Sequence, residues 1–177
     1  MTLRAISAAM DRLAAILRRR PEFGLQDDTP ATARWEGGLR VVSRHENGTQ
    51  LLTDMPAELG GSGTQVTPGW LMRAGLASCV ATRIAMAVAA EHIELAMLEV
   101  TTGSRSDARG LFGMTNADGA PVDPGPLDVE LIVRISAPGI APDRLRVLVE
   151  EGHRFSPVSN ALCHAVPVSL RIHIDAG

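Results

Sequence analysis

Aromatic side chains are scarce in this sequence: two Trp, three Phe and no Tyr make up 3% of its 177 residues. The core must therefore be assembled from Leu, Val, Ile, Ala and Met. No aromatic residues alternate with basic ones, and a net charge of -3 argues against a nucleic-acid footprint, which needs a clustered excess of Lys and Arg. Two Cys, far apart, are too few for a disulfide scaffold and suit a reducing cytoplasm. A continuous apolar leader is missing as well, because Asp11 and four later Arg interrupt residues 1–20. An Arg-rich amphipathic start is also the pattern of a transit peptide, but the segment reads instead as a docked helix.

What is present suits one domain: the length is within the single-domain range and the hydrophobic fraction, 45%, is ordinary. The longest apolar stretch runs from Trp70 to Ile93. Arg73 and Arg83 inside it are costly at a bilayer centre, and Ser78 and Thr82 add polarity, so it reads as the central helix of a soluble core and no membrane partner is expected.

Periodicity sets the element order. Leu3, Ile6, Met10, Leu13 and Leu17 mark a helix over 2–20, with Thr2 as cap, arginines at its C-terminal end and Pro21 as stop. That helix either docks on its own body or packs on a second subunit. Residues 1–31 are read as a helical extension and linker, and 32–177 as the main domain. Residues 32–55 form a small meander: Gly37-Gly38 breaks an early strand, Leu39 to His45 forms the next, and Asn47-Gly48 signals a two-residue hairpin. A loop ending in Gly60-Gly61-Ser62-Gly63 is read as flexible. Thr67 caps the central helix with Pro68 at its first position. A strand near Leu98 to Ser104 follows, then a long exposed loop over 105–126 with an extended piece at Leu111 to Met114. Leu127, Val129, Leu131, Val133 and Ile135 alternate as a half-buried strand. Pro142 opens a helix, and Val168, Leu170, Ile172 and Ile174 alternate in a final strand.

The order α-βββ-α-β-β-α-β lacks regular βαβ alternation and points to an α+β fold, with antiparallel sheet packed on a long buried central helix. One sheet cannot cover so apolar a helix all round. A second subunit is the simplest missing cover, so a homodimer is expected.

Cys79 lies about eleven residues into that helix. Free Cys is commonly a small buried hydrophobe, and a reactive thiol would need a cation beside it, because the dipole fades beyond the first turn. Arg83, at i+4, shares its face; Arg73 does not; Arg40 of the hairpin is a further candidate. Cys163-His164 with His153 matches no zinc spacing, and no nucleophile elbow surrounds Ser156, Ser159 or His164, so no metal and no hydrolytic site is expected. His173 sits on the polar face of the last strand, and Met72, Met86 and Met97 read as core filler.

The run from Pro56 through Gly60-Gly61-Ser62-Gly63 and Thr67-Pro68-Gly69-Trp70 to Ala77-Ser78-Cys79 resembles the segment leading to the reactive Cys of the OsmC/Ohr family, the osmotically inducible and organic hydroperoxide resistance proteins. Trp35-Glu36-Gly37-Gly38-Leu39-Arg40 and Phe155-Ser156-Pro157 to Leu162 are similar too, so the resemblance spans about 32 to 175. It implies an OsmC-like fold, an intertwined cytoplasmic homodimer with both central helices between sheets, and thiol peroxidase activity on organic hydroperoxides. By that resemblance Cys79 is the attacking Cys and Arg40 the arginine beside it. No cofactor is implied. Two positions depart from the pattern: Ser156 stands where the family has its second Cys, and Gly69 where the hydroperoxide branch has an acid. Cys163 lies seven residues beyond Ser156, about 10 Å along a helix, too far for a bridge without movement. The expected activity is a one-Cys cycle with an external thiol reductant. The alternative is a non-catalytic homodimer that binds a small apolar ligand near Cys79.

Overall fold

The computed structural model describes residues 3–175. Helix α1 (Leu3–Arg19) turns Leu3, Ile6, Met10 and Leu17 inward with Ser7 buried among them, and it packs along the central helix of its own chain. Arg18 and Arg19 close its last turn, where cations complement the dipole. The expected cap, Thr2, lies outside the described residues.

Strands β1 (Thr32–Gly37), β2 (Arg40–Arg44) and β3 (Gln50–Thr53) form the expected antiparallel meander in that order, with Trp35 opposite Val41 and Val42 opposite Leu52. Gly37 and Gly38 take positive φ in the first turn, which the Trp35 indole closes by donating to the Gly38 carbonyl at 2.9 Å. The second connection differs from the expected two-residue hairpin. Residues 45–49 form a longer loop, because Asn47 uses its side chain to accept from Thr49 N and His45 Nδ1 accepts from Asn47 N. Asn-Gly fixed a turn here without fixing its length.

Helix α2 (Pro68–Ala90) begins as its sequence dictates, with the Thr67 hydroxyl accepting from Trp70 N at 3.2 Å and Pro68 at the first position. It ends in a Schellman arrangement, Ile93 N to Val88 O and His92 N to Ala89 O, with His92 at φ 56 where glycine is usual. It is the one described helix long and apolar enough, by length and composition, to cross a membrane. Here it is the spine of the core: Leu76, Val80, Ile84 and Val88 are almost fully buried against Leu148.

Strands β4 (Met97–Ser106) and β5 (Pro126–Ser136) pair antiparallel, with Val100 opposite Val133. Leu98, Val100, Leu131, Val133 and Ile135 pack on the α2 core. Between the strands lies a short helix, α3 (Ala108–Leu111), which Asp107 caps by accepting from Arg109 N at 2.9 Å, and the piece expected to be extended at Leu111 to Met114 is the end of that helix and the turn after it. The alternation in β5 is only half used: Leu127 and Val129 are 57% and 38% exposed, since the buried core packs only on the half of the strand that carries Leu131, Val133 and Ile135.

Helices α4 (Pro142–Arg154) and α5 (Pro157–Cys163) complete the packing on α2. The expected last strand differs most. Residues 165–175 run without a ladder partner, and Val168, Leu170, Ile172 and Ile174 are 94%, 83%, 72% and 91% exposed. A strand pattern supplies one side of a ladder, and among the described residues no strand pairs with it.

The α2–α4 crossing is tight at Gly152, where an added Cβ would lie 2.5 Å from Ile84 Cγ1 and 3.0 Å from the Ile84 backbone. Gly152→Ala is therefore expected to push the helices apart and cost about 1–3 kcal/mol. A lowered urea midpoint with an unchanged m-value checks this.

Candidate functional site

The site is organised by the helix that carries it. Cys79 sits near the middle of α2, half-buried, and its sulfur makes no hydrogen bond among the described residues. The α2 face running through Gly75, Ser78 and Thr82 beside it is exposed. Arg83, one turn on, is half-buried too. Its Nε is buried with no acceptor, and Nη1 finds only the Met86 thioether, at 3.6 Å. Its guanidinium lies 5.9 Å from the Phe155 ring centroid, which draws the α4–α5 turn to the helix. Arg83 is thus the cation one helical turn from Cys79, as its i+4 position requires.

Ser156 is completely buried, and its hydroxyl caps α5 by accepting from Ser159 N at 3.3 Å. Its role in the fold is that of a cap. Cys163, at the far end of α5, is exposed, and both cysteines are free thiols. Cys163 shares a shallow cavity with His153, Arg154, Ser159, Asn160 and His164, but no group of three metal-ligating side chains occurs among the described residues.

Arg40 is placed differently. It opens β2, exposed, and its charge falls on Asp54. The β1–β3 sheet makes no extensive packing contact with α2 of the same chain. The structure therefore brings Arg83 to the Cys79 turn and does not bring Arg40 there.

Asp54 was not singled out by the sequence, and it organises the segment between β3 and α2. The residue is 1% exposed. Its Oδ2 accepts from Ser62 N at 3.0 Å and Ser62 Oγ at 2.6 Å, and its Oδ1 from Met55 N at 2.7 Å. The Ser62 hydroxyl above all, then the Ser62 amide, hold the carboxyl below its ordinary value against the opposing effect of burial. A side chain at Gly61 would meet the Met55 carbonyl at 1.9 Å. The glycine-rich stretch expected to be flexible is thus a hydrogen-bonded knot. The signal was an Asp eight residues before a Ser, too loose a spacing to read.

Gly69 also gains meaning. The place a side chain would take is 3.7 Å from Arg73 Nη1, and Arg73 reaches across to Ser104 Oγ at 3.1 Å. At the start of the Cys79 helix a guanidinium stands beside an empty position.

Comparison with known proteins bears on the family and the fold. The family model for OsmC-like proteins matches residues 61–171, which include Cys79, Arg83 and Ser156. An organic hydroperoxide resistance protein OsmC from Legionella pneumophila is similar at 26% identity and TM-score 0.53, over 78% of this chain and 90% of that one. An OsmC-like protein from Mycoplasma pneumoniae aligns at 15% identity and TM-score 0.65, over 80% and 91%. An organic hydroperoxide resistance protein from Elizabethkingia anophelis aligns at 22% identity and TM-score 0.55, over 77% and 89%. The last two show the fold. No curated protein matches the chain.

The Asp54 knot has a pH signature. Because its folded pKa is lowered, the stability it contributes is present above the ordinary Asp value and is lost as pH falls through the folded one. Asp54→Asn is expected to melt below wild type at neutral pH, with the gap closing as the solution is acidified. A gap that stays constant with pH would assign the role to packing alone.

Proposed function

The chain belongs to the OsmC-like protein family, and from that premise we propose that it is a thiol-dependent peroxidase that reduces organic hydroperoxides through Cys79. The observation that carries the reading is that Cys79, half-buried on the central helix, has Arg83 one helical turn on, with no acidic partner among the described residues. A thiolate needs such a cation. The 26% identical Legionella pneumophila protein, named for organic hydroperoxide resistance, supports the substrate class.

In this reading the Cys79 thiolate attacks the outer peroxide oxygen. An S–O bond forms as the O–O bond breaks, the departing alkoxide takes a proton to become an alcohol, and Cys79 is left as a sulfenic acid. Ser156 cannot condense with it, and its hydroxyl is already committed to capping α5. The sulfenic acid is therefore resolved by an external thiol in a one-Cys cycle. Arg40, exposed on a hairpin that does not pack on its own α2, acts only if it reaches the Cys79 of a second copy.

The second copy is itself part of the proposal. One protomer exposes 13324 Å², whereas a compact monomer of this mass exposes about 8,300 Å². The unpaired apolar segment 167–174, the uncovered half of β5 and the exposed Gly75–Ser78–Thr82 face of α2 are the surfaces that a homodimer would cover.

A second reading, an apolar-ligand carrier on the same fold, is favoured by one observation. A cavity of about 470 Å³ is lined by Leu39, Met55, Glu58, Leu59, Leu111 and Phe112, a size suited to a small ligand, and Cys79 is not among its lining residues, so the ligand would sit apart from the thiol rather than beside it.

Two measurements test these statements. Intact mass after stoichiometric cumene hydroperoxide with dimedone is expected to show a rapid adduct in wild type and none in Cys79→Ser. A Cys79 that stays a free thiol through excess peroxide leaves the carrier reading. Light scattering coupled to gel filtration is expected to give a dimer, and Ile172→Asp to weaken it at low concentration; a wild-type monomer sinks the dimer.

A further inference from the structure

Two guanidinium groups converge on one aromatic ring, and one of them belongs to Arg83, four residues after Cys79 on α2. Phe155, in the turn between α4 and α5, has the Arg154 guanidinium 4.7 Å from its ring centroid and that of Arg83 at 5.9 Å. Neither has an acidic partner among the described residues. The ion pairs present join Arg44 to Glu36, Arg105 to Asp128, Arg109 to Asp107, Arg134 to Glu99 and Arg144 to Glu91. Glu150 and Glu151, on the same helix as Arg154, pair with neither group. Arg83 is the worse supplied, with its Nε buried without an acceptor and a thioether as its one polar contact.

Two like charges braced on one ring repel each other, and the desolvation of Arg83 is not recovered by a sulfur or a π face. What both lack is an anion. A guanidinium offers a planar fork of donors that matches a carboxylate, and a fork held by stacking on an aromatic ring loses little freedom when it binds. Arg83 lies at i+4 from Cys79, so an anion held there is within the reach of a small molecule whose other end meets the sulfur.

Resting on the reading of Cys79 as the reacting thiol, we infer that Arg83 and Arg154, braced on Phe155, form a subsite for the carboxylate of the small molecule that reacts at Cys79. That molecule is either a carboxylate-bearing hydroperoxide or a carboxylate-bearing thiol. In the first case the S–O bond forms, the O–O bond breaks, and the hydroxy acid leaves with one proton. In the second, the thiol sulfur attacks the Cys79 sulfenic acid, an S–S bond forms and water leaves. A second thiol then breaks the mixed disulfide, freeing Cys79 and releasing the oxidised small thiol. With Ser156 unable to form a disulfide, this external attack is where a recognition site for the thiol has most effect.

The test begins without peroxide, so that its failure is separate from failure of the peroxidase reading. In a Cys163→Ser background Cys79 is the one remaining thiol. Its alkylation rates by iodoacetate and by iodoacetamide are read by intact mass, and their ratio is normalised to that of free 2-mercaptoethanol. Arg154→Gln, at an exposed position outside the reacting groups, is expected to lower the anionic-to-neutral ratio about fivefold. Arg154→Lys is expected to restore part of it, and raised salt to diminish it. A ratio unchanged by Arg154→Gln overturns the subsite.

The source of the carboxylate is then assigned by two further ratios. Sulfenic acid formation is compared between a fatty-acid hydroperoxide and cumene hydroperoxide. Sulfenic acid loss is compared between mercaptosuccinate and 2-mercaptoethanol. The ratio that falls in Arg154→Gln names the anionic partner. If sulfenic acid forms and neither ratio falls, the assignment to the reacting molecule is wrong. If no sulfenic acid forms but the alkylation ratio falls, the anion subsite stands and the peroxidase reading does not.

Discussion

A helix apolar on every side has to be covered on every side, and that requirement shapes the protein. Within one chain α2 is met by the β4–β5 sheet, by α4 and α5, and by α1. Leu76, Val80, Ile84 and Val88 are sealed by these neighbours, while Gly75, Ser78 and Thr82 remain outside the seal. Burial of a Val, Leu or Ile side chain is worth about 1.5–3 kcal/mol, so the sealed stripe is the main source of cohesion. Cys79 lies at the seam between sealed and open faces. A fully buried thiol would be inert and a fully exposed one unprotected, so its place follows from how the cover is divided.

Charge at this seam is handled by arginine alone: all seventeen basic residues are Arg and none is Lys. Arginine stays charged through the accessible pH range and tolerates partial burial by stacking. Arg73 lies over the vacant position at Gly69 and reaches Ser104, while Arg83 leans on Phe155. Where the hydroperoxide branch of the family is expected to hold an acid, this chain therefore has a glycine and a nearby cation. The charged side chains along the Cys79 helix are both arginines, and the proposed chemistry and anion subsite draw on the second of them, Arg83.

The polar scaffolding is as economical as the apolar core. The Asp54 carboxylate collects two donors from Ser62 and one from Met55, and turns a glycine-rich connector into a rigid lead into α2. Ser156 caps α5 from a fully buried position. Both are local hydrogen-bond decisions, one fixing the approach to the Cys79 helix and the other the start of α5.

Much was legible in the residues themselves. Local rules act over a few residues, so the Thr67-Pro68 start of α2, the α1 stripe apart from the exposed Leu13, the Leu131 to Ile135 half of the β5 alternation and the break at Gly37-Gly38 appear where expected. The spacing around Cys79 carried the family resemblance, and the match over residues 61–171 bears it out. Arg83 was legible because i+4 is fixed by helix geometry. Tertiary structure decided what depends on partners distant in sequence. It set Phe155 under two arginines, Ser62 on Asp54 and Arg73 on Ser104. It kept Arg40 away from the α2 of its own chain, and it left the alternating residues Val168 to Ile174 without a ladder. The alternation of a strand states that one face seeks cover and one edge seeks a neighbour. Which surface answers is a contact between segments far apart along the chain, and only folding brings such segments together.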